Sequence, residues 1–246
     1  MRGTAERCLI LGIGSLEGMT RIQLSAILAH EYGHFAHKDT AGGNMALQVS
    51  ISMQEAAMGL IMNNLNKWYN PAWIFINSFH RIFLRVTHGA SRLQEILADR
   101  YAAMSYGAKA FAEGLAHVVK QGIEFGFTAD EEIGKAIKEN RQPANLYSLS
   151  APISGDTRKE LDEQIEQALN HPLSAYDSHP PPKKRIEWVN NINVQVTDIV
   201  TDSSAWDLLP QRYSLEESMT RSVHENVLEQ IKYQQEYERQ LAEQEN

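Results

Sequence analysis

Leu28-Ala29-His30-Glu31-Tyr32-Gly33-His34-Phe35 sets two histidines and a glutamate, spaced H-E-x-x-H, inside an apolar run. Residues four apart on a helix lie one turn above each other, so His30 and His34 can turn ring nitrogens toward one point. Two neutral imidazoles suit zinc, and the adjacent Glu31 is placed to take a proton from a water molecule. The pentad therefore predicts a helix built around a metal site and points to hydrolysis. The ordinary alternative is a chance meeting of three helical residues. Two ligands also leave a site half built, so the rest of the chain is read for a third.

Around the pentad, Thr20-Arg21-Ile22-Gln23 has capping-box spacing, which starts the helix near Arg21 and ends it near Lys38 to Thr40. Gly33 inside it costs about 1 kcal/mol relative to alanine, so something should pack tightly there, either a strand or the helix bearing the third ligand. His37 lies close to the ligand face but reads as solvated or hydrogen-bonded, since zinc takes four ligands including water. Asp39 either accepts a hydrogen bond from a ligand imidazole or ends the helix. Upstream, Arg7 to Gly14 is a short apolar segment closed by glycine and reads as a strand, whose free edge could hold an extended peptide.

Downstream, Ala41 to Leu65 reads as a second helix whose Met45, Met53, Met58 and Met62 fill the core. Asn63-Asn64 and Asn70-Pro71 are turn signals, and a third helix is expected over Ala72 to Val86. A separate helix capped by Ser91 and Gln94 then runs to Gly107. On it Glu95 and Asp99 share a face. One could bind the metal while the other accepts the free N–H of a ligating histidine; alternatively they form an acidic face paired with Arg92 and Arg100. Further on, helices are expected over Ala110 to Phe125, from Thr157 to about Asn170, from near Lys183 and over Ser214 to Asn246, with mixed helix and loop from Gly126 to Pro152.

The chain has 246 residues, 43% of them hydrophobic, and a net charge of -8, which leaves no footprint for nucleic acid. The lone Cys8 excludes an internal disulfide. No secretory signal is visible, and no run reaches the roughly 18 apolar residues that cross a bilayer. Trp68, Tyr69 and Trp73, beside Phe75, Phe79 and Phe83, read as core packing, with peripheral contact on a membrane surface as the rarer alternative.

Taken together, His30-Glu31-x-x-His34 followed by Ser91-Arg92-x-x-Glu95-x-x-Ala98-Asp99 resembles the gluzincin metallopeptidases typified by HtpX and the CAAX prenyl endopeptidases. The resemblance extends from Leu11-Gly12 to Ser178-His179-Pro180-Pro181 and Arg185-Ile186. It implies a mainly α (α+β) zincin-like domain over residues 1–190, with a small strand packed on the pentad helix, shortened or truncated on its N-terminal side relative to the family's membrane-spanning members, and a helical extension over 191–246. It implies one Zn2+ held by His30, His34 and Glu95, with Glu31 as general base and Asp99 hydrogen-bonded behind a ligand. His179 or Arg185, carried on a stiff proline arm, would steady the oxyanion, or His179 would close the site as a fourth ligand. The implied activity is cleavage of polypeptides, in membrane-protein quality control, by a protein that is membrane-associated or cytoplasmic. The competing expectation is a catalytically silent zinc-bearing binding or chaperone-like module at a membrane.

Overall fold

The computed structural model describes residues 8–36, 40–149, 154–172, 174, 177, 179–192 and 203–244. Among them the chain forms α1 (Arg21–Ala36), α2 (Thr40–Met62), α3 (Pro71–Tyr106), α4 (Ala108–Lys138), α5 (Gly155–Asn170), α6 (Pro182–Asn190) and α7 (Arg212–Gln244). Short 3-10 turns lie at Ile13–Ser15, Leu146–Ser148 and Ala205–Leu208.

The strand expected over Arg7 to Gly14, and with it the α+β class, is overturned. Cys8 to Gly12 carries no regular structure, and the described residues contain no strand, only an antiparallel bridge between Thr20 and Ser204. Ile10 is 88% exposed, so its apolar run has neither a covering surface nor a partner strand among the described residues. An isolated extended segment cannot offset its ordering entropy that way.

Two compact units are present. One comprises Ile22–Ala116 and Glu166–Thr201, the other Met1–Arg21, His117–Ile165 and Asp202–Asn246. In the first, Ala26 and Ala29 of α1, Ala102 and Ala103 of α3, and Phe111 of α4 build a core of small side chains around one aromatic ring, closed by Val189 of α6. Gly33 is one of its two tight points. A Cβ there would stand 3.1 Å from the Ala98 Cα, so α1 and α3 meet backbone to backbone. Gly114 of α4 plays the same part against Gln23, where a Cβ would lie 3.1 Å from a carbonyl oxygen. The tight packing expected at Gly33 thus comes from the third helix.

That third helix is longer than its sequence suggested. Asn70 caps it by accepting from the Ala72 N–H at 3.0 Å, Pro71 occupies its first turn, and Gly107 ends it at φ 96°. The two helices expected over Ala72–Val86 and Ser91–Gly107 are one. No proline lies between them, Ser91 remains inside the helix, and Thr87 Oγ1 donates back to the Phe83 carbonyl at 2.8 Å. Helices α2 and α6 both pack on α3. The methionines of α2 do not all fill a core: Met58 is 58% and Met62 78% exposed.

In the second unit Ala129 and Ile133 of α4 pack with Leu146, against Val223 and Val227 of α7. Arg212 ties it by ion pairs to Glu17 and Glu216, each at 2.6 Å, with its guanidinium over the Trp206 ring.

Gly33→Val is expected to destabilise the chain by about 1–3 kcal/mol in denaturant unfolding, because the extra methyls must push α1 off α3. In a Gly33→Ala background, Ala98→Gly should recover part of the loss. Equal stability of Gly33→Val and wild type would refute the close crossing.

Candidate metal centre

The crossing of α1 over α3 decides which side chains meet. From α1 come His30, Glu31 and His34, from α3 Glu95 and Asp99, and from the proline arm and α6 His179 and Arg185. His30, Glu95, Asp99 and Arg185 are buried, His34 is partly so, and Glu31 is half-buried at the rim.

His30 Nε2 and His34 Nε2 lie 3.2 Å apart. Glu95 Oε1 is 3.3 Å from His34 Nε2, and Glu95 Oε2 is 3.6 Å from His30 Nε2. Four donors around a tetrahedral ion at 2.0–2.1 Å stand about 3.3–3.4 Å from one another, and this triad's separations, those to the two imidazoles made by different oxygens of Glu95, lie near that spacing. Its ligand atoms all fall within 4.8 Å. Glu95 Oε2 is buried with no hydrogen-bond donor, although Arg185 Nη1 stands 3.3 Å away without the alignment to serve as one. An unsatisfied buried acceptor 3.6 Å from the His30 Nε2 is what a cation would satisfy.

Behind the triad the polar groups are fully engaged. Asp99 Oδ1 lies 2.9 Å from His30 Nδ1, and Asp99 takes a forked contact from Arg185, Nη2 to Oδ1 at 2.6 Å and Nε to Oδ2 at 2.9 Å. Arg185 Nη2 also stands 3.3 Å from both ring nitrogens of His30. Phe111 floors the arrangement, its ring centroid 5.8 Å from that of His30 and 5.7 Å from the Arg185 guanidinium carbon. On the open side His179, exposed, brings Nδ1 to 2.9 Å from Glu95 Oε1.

The electrostatics follow from these contacts. Burial alone would raise the Glu95 pKa, but hydrogen bonds from His179 and His34 and the charges of Arg185 and His30 outweigh it. They hold the carboxyl far below the usual carboxylate range. The hydrogen bond to Glu95 raises His179 above an ordinary histidine against the pull of burial. Burial works against the Arg185 charge too, yet Asp99, Glu95 and Glu31 overcome it and raise its pKa further.

Of the residues expected to act together, His30, Glu31, His34, Glu95, Asp99, His179 and Arg185 converge. His37 and Asp39 lie outside the described residues. Arg92, the alternative partner for the acidic face, donates instead to the Asp177 carbonyl at 2.9 Å, and the partner of Asp99 is Arg185. Sequence reasoning missed Phe111, which stands among alanines at the start of α4 with no spacing signal to mark it.

Two histidines one helical turn apart, a carboxylate from a second helix and another carboxylate behind the first imidazole form the donor pattern of metal-dependent hydrolases. The chain belongs to peptidase family M48, whose sequence model matches residues 10–193. It is 29% identical over 196 residues to a "Protease HtpX homolog" from Pyrobaculum calidifontis, covering 73% of this chain and 54% of that protein. A second "Protease HtpX homolog", from Pyrobaculum aerophilum, is 24% identical over 187 residues, or 70% and 52% of the two chains. The chain thus spans about half the length of these curated relatives. No solved structure matches it.

Because Arg185 and Asp99 compensate each other in a buried setting, Arg185→Gln should cost about 3–5 kcal/mol of unfolding free energy. The Arg185→Gln/Asp99→Asn double variant should lose at least about 1 kcal/mol less than the sum of the singles. Strict additivity in such a double-mutant cycle would show that the pair is not coupled.

Proposed function

We propose that this chain is a zinc-dependent metalloendopeptidase acting on polypeptides. The observation that carries the reading is the arrival of Glu95, from a helix far along the sequence, with one carboxylate oxygen 3.3 Å from His34 Nε2 and the other 3.6 Å from His30 Nε2. Membership of a peptidase family and the likeness to proteins named as proteases support it.

In this reading His30, His34 and Glu95 hold the ion. When bound, zinc supplies a Lewis acid and brings the pKa of water down toward about 7. Asp99 accepts the His30 Nδ1–H, which fixes the tautomer and leaves the Nε2 lone pair for the metal. Arg185 holds Asp99 in place by its fork; with its Nε and Nη2 engaged there, it serves as a positioning residue. Glu31, one residue beyond a ligand and half-buried, takes the proton of the attacking water and returns it to the leaving amine nitrogen. His179, the exposed donor on the open side, steadies the oxyanion as the scissile carbonyl becomes tetrahedral.

The His179–Glu95 contact favours a second reading, in which His179 closes the site and the chain is a silent zinc-bearing module. His179→Ala separates the two, since it lowers turnover if His179 serves the oxyanion and raises it if His179 blocks the site.

Glu31→Gln is expected to keep its zinc, measured by elemental analysis, while casein or peptide-library hydrolysis falls by about 10²–10⁴-fold. An unimpaired Glu31→Gln enzyme would reject the mechanism. Asp99→Asn should weaken zinc binding roughly 10–100-fold in chelator competition.

A further inference from the structure

The second unit contains a half-open cavity of about 150 Å³, and none of the residues lining it belongs to the metal centre. One wall is a single face of α4, on which Gln121, Glu124, Phe125 and Thr128 stand at i, i+3, i+4 and i+7. The Phe125 ring stacks on that of Tyr147, their centroids 5.0 Å apart. Gly14 lies against the same ring, since a Cβ there would stand 3.0 Å from it. Trp206, 7% exposed, adds a third aromatic wall. A cavity of about this size holds a benzene-sized group, roughly six non-hydrogen atoms.

The lining is as selective in charge as in size. Among the described residues that form it are two carboxylates, Glu17 and Glu124, and no Lys, Arg or His. Arginines outside the lining hold both: Glu124 Oε1 lies 2.6 Å from Arg158 Nη1, and Glu17 Oε2 lies 2.6 Å from Arg212 Nη2 and accepts the Trp206 Nε1–H at 3.3 Å. Each arginine also meets another carboxylate, Asp162 at 2.7 Å and Glu216 at 2.6 Å. Four carboxylates thus share two guanidinium groups, which leaves an excess of negative charge beside the cavity. The Thr128 hydroxyl spends its hydrogen on the Glu124 and Phe125 carbonyls, at 3.0 and 3.1 Å, and keeps only lone pairs for a guest. An anion would meet repulsion here, and a wholly apolar guest would strip water from the carboxylates. A cation on a short apolar stem meets neither penalty, because aromatic faces attract it as carboxylates do.

We propose that this cavity binds an alkylammonium group, a terminal ammonium on a stem of about five carbons. That chemistry is shared by a lysine side chain and a free alkylamine. Glu17 and Glu124 take the charge, and Phe125, Tyr147 and Trp206 pack on the stem.

The test is isothermal titration calorimetry of the full chain with n-pentylammonium, pentan-1-ol and pentanoate, guests of nearly one size that differ in charge. Guests this small bind in roughly the millimolar range. Pentylammonium is expected to bind about tenfold more tightly than pentanol, and pentanoate not at all. Glu124→Gln should lower the pentylammonium affinity about fivefold and leave that of pentanol unchanged. Thr128→Phe, which fills the cavity, should abolish both; if it does not fold by circular dichroism, Glu124→Gln decides alone. Capped lysine, Nα-acetyllysine N-methylamide, distinguishes the sources: its binding assigns the site to polypeptide lysines, its failure beside bound pentylammonium to free amines, and either upholds the ammonium chemistry. Glu31→Gln should bind pentylammonium like wild type, so the result does not turn on the peptidase reading. Affinity for pentanol or pentanoate equal to that for pentylammonium, binding of none of the three, or a Glu124→Gln chain that binds pentylammonium like wild type would overturn the proposal.

Discussion

The contact between Gly33 and Ala98 is the constraint that the metal centre depends on. Glycine in mid-helix costs about 1 kcal/mol relative to alanine, and alanines at a crossing bury little apolar surface. What they provide is proximity. With no Cβ on α1 and a methyl on α3, the two backbones approach until a carboxylate on one helix stands 3.3–3.6 Å from imidazoles on the other. A bulkier pair would push the two helices apart and widen that gap. The fully buried Phe111 offsets part of the cost, since burying a large apolar side chain stabilises by about 1.5–3 kcal/mol.

Burying two carboxylates beside two imidazoles would be prohibitive without Arg185. The Arg185 guanidinium faces both, 2.6 Å from Asp99 Oδ1 and 3.3 Å from Glu95 Oε2. That balance is asymmetric by design of the contacts. The guanidinium spends its good geometry on Asp99 and meets Glu95 only by proximity, which leaves a Glu95 oxygen without a donor. Arg185 sits 155 residues from His30, so the centre is complete only when α6 has docked on α3.

The sequence carried the polar half of this site clearly and the apolar half poorly. Ligand spacing is a local matter of helical phase, so His30, Glu31 and His34 could be placed from the pentad, and the internal cost of Gly33 announced a close neighbour. Glu95 and Asp99 were ambiguous from spacing alone, since an acidic helix face looks the same whether it pairs with Arg92 on its own helix or with Arg185 from another. Only tertiary contact separates these. The strand at the N-terminus was misread because four apolar residues between glycine and polar chain have the composition of a strand, whereas pairing is a property of two segments. The break between two helices near Ser91 was misread for a similar reason: capping residues are tolerated inside a helix when packing on both sides holds it straight. Methionines and aromatics of α2 and α3 were assigned to a core by residue type, and their uncovered faces lay beyond what type can tell.

The continuity of α3 has a mechanical consequence. One unbroken 36-residue helix carries the stacked rings of Phe75 and Phe79 near its start and Glu95 and Asp99 near its end, so the two pairs are locked in angular phase as features on a single screw. Between Pro71 and Glu95 the rod advances about 36 Å, and each residue added or removed within it would swing Glu95 and Asp99 by about 100° relative to Phe75 and Phe79. A seven-residue change would nearly restore the alignment and a two-residue change would ruin it. In this helix length and direction are one variable.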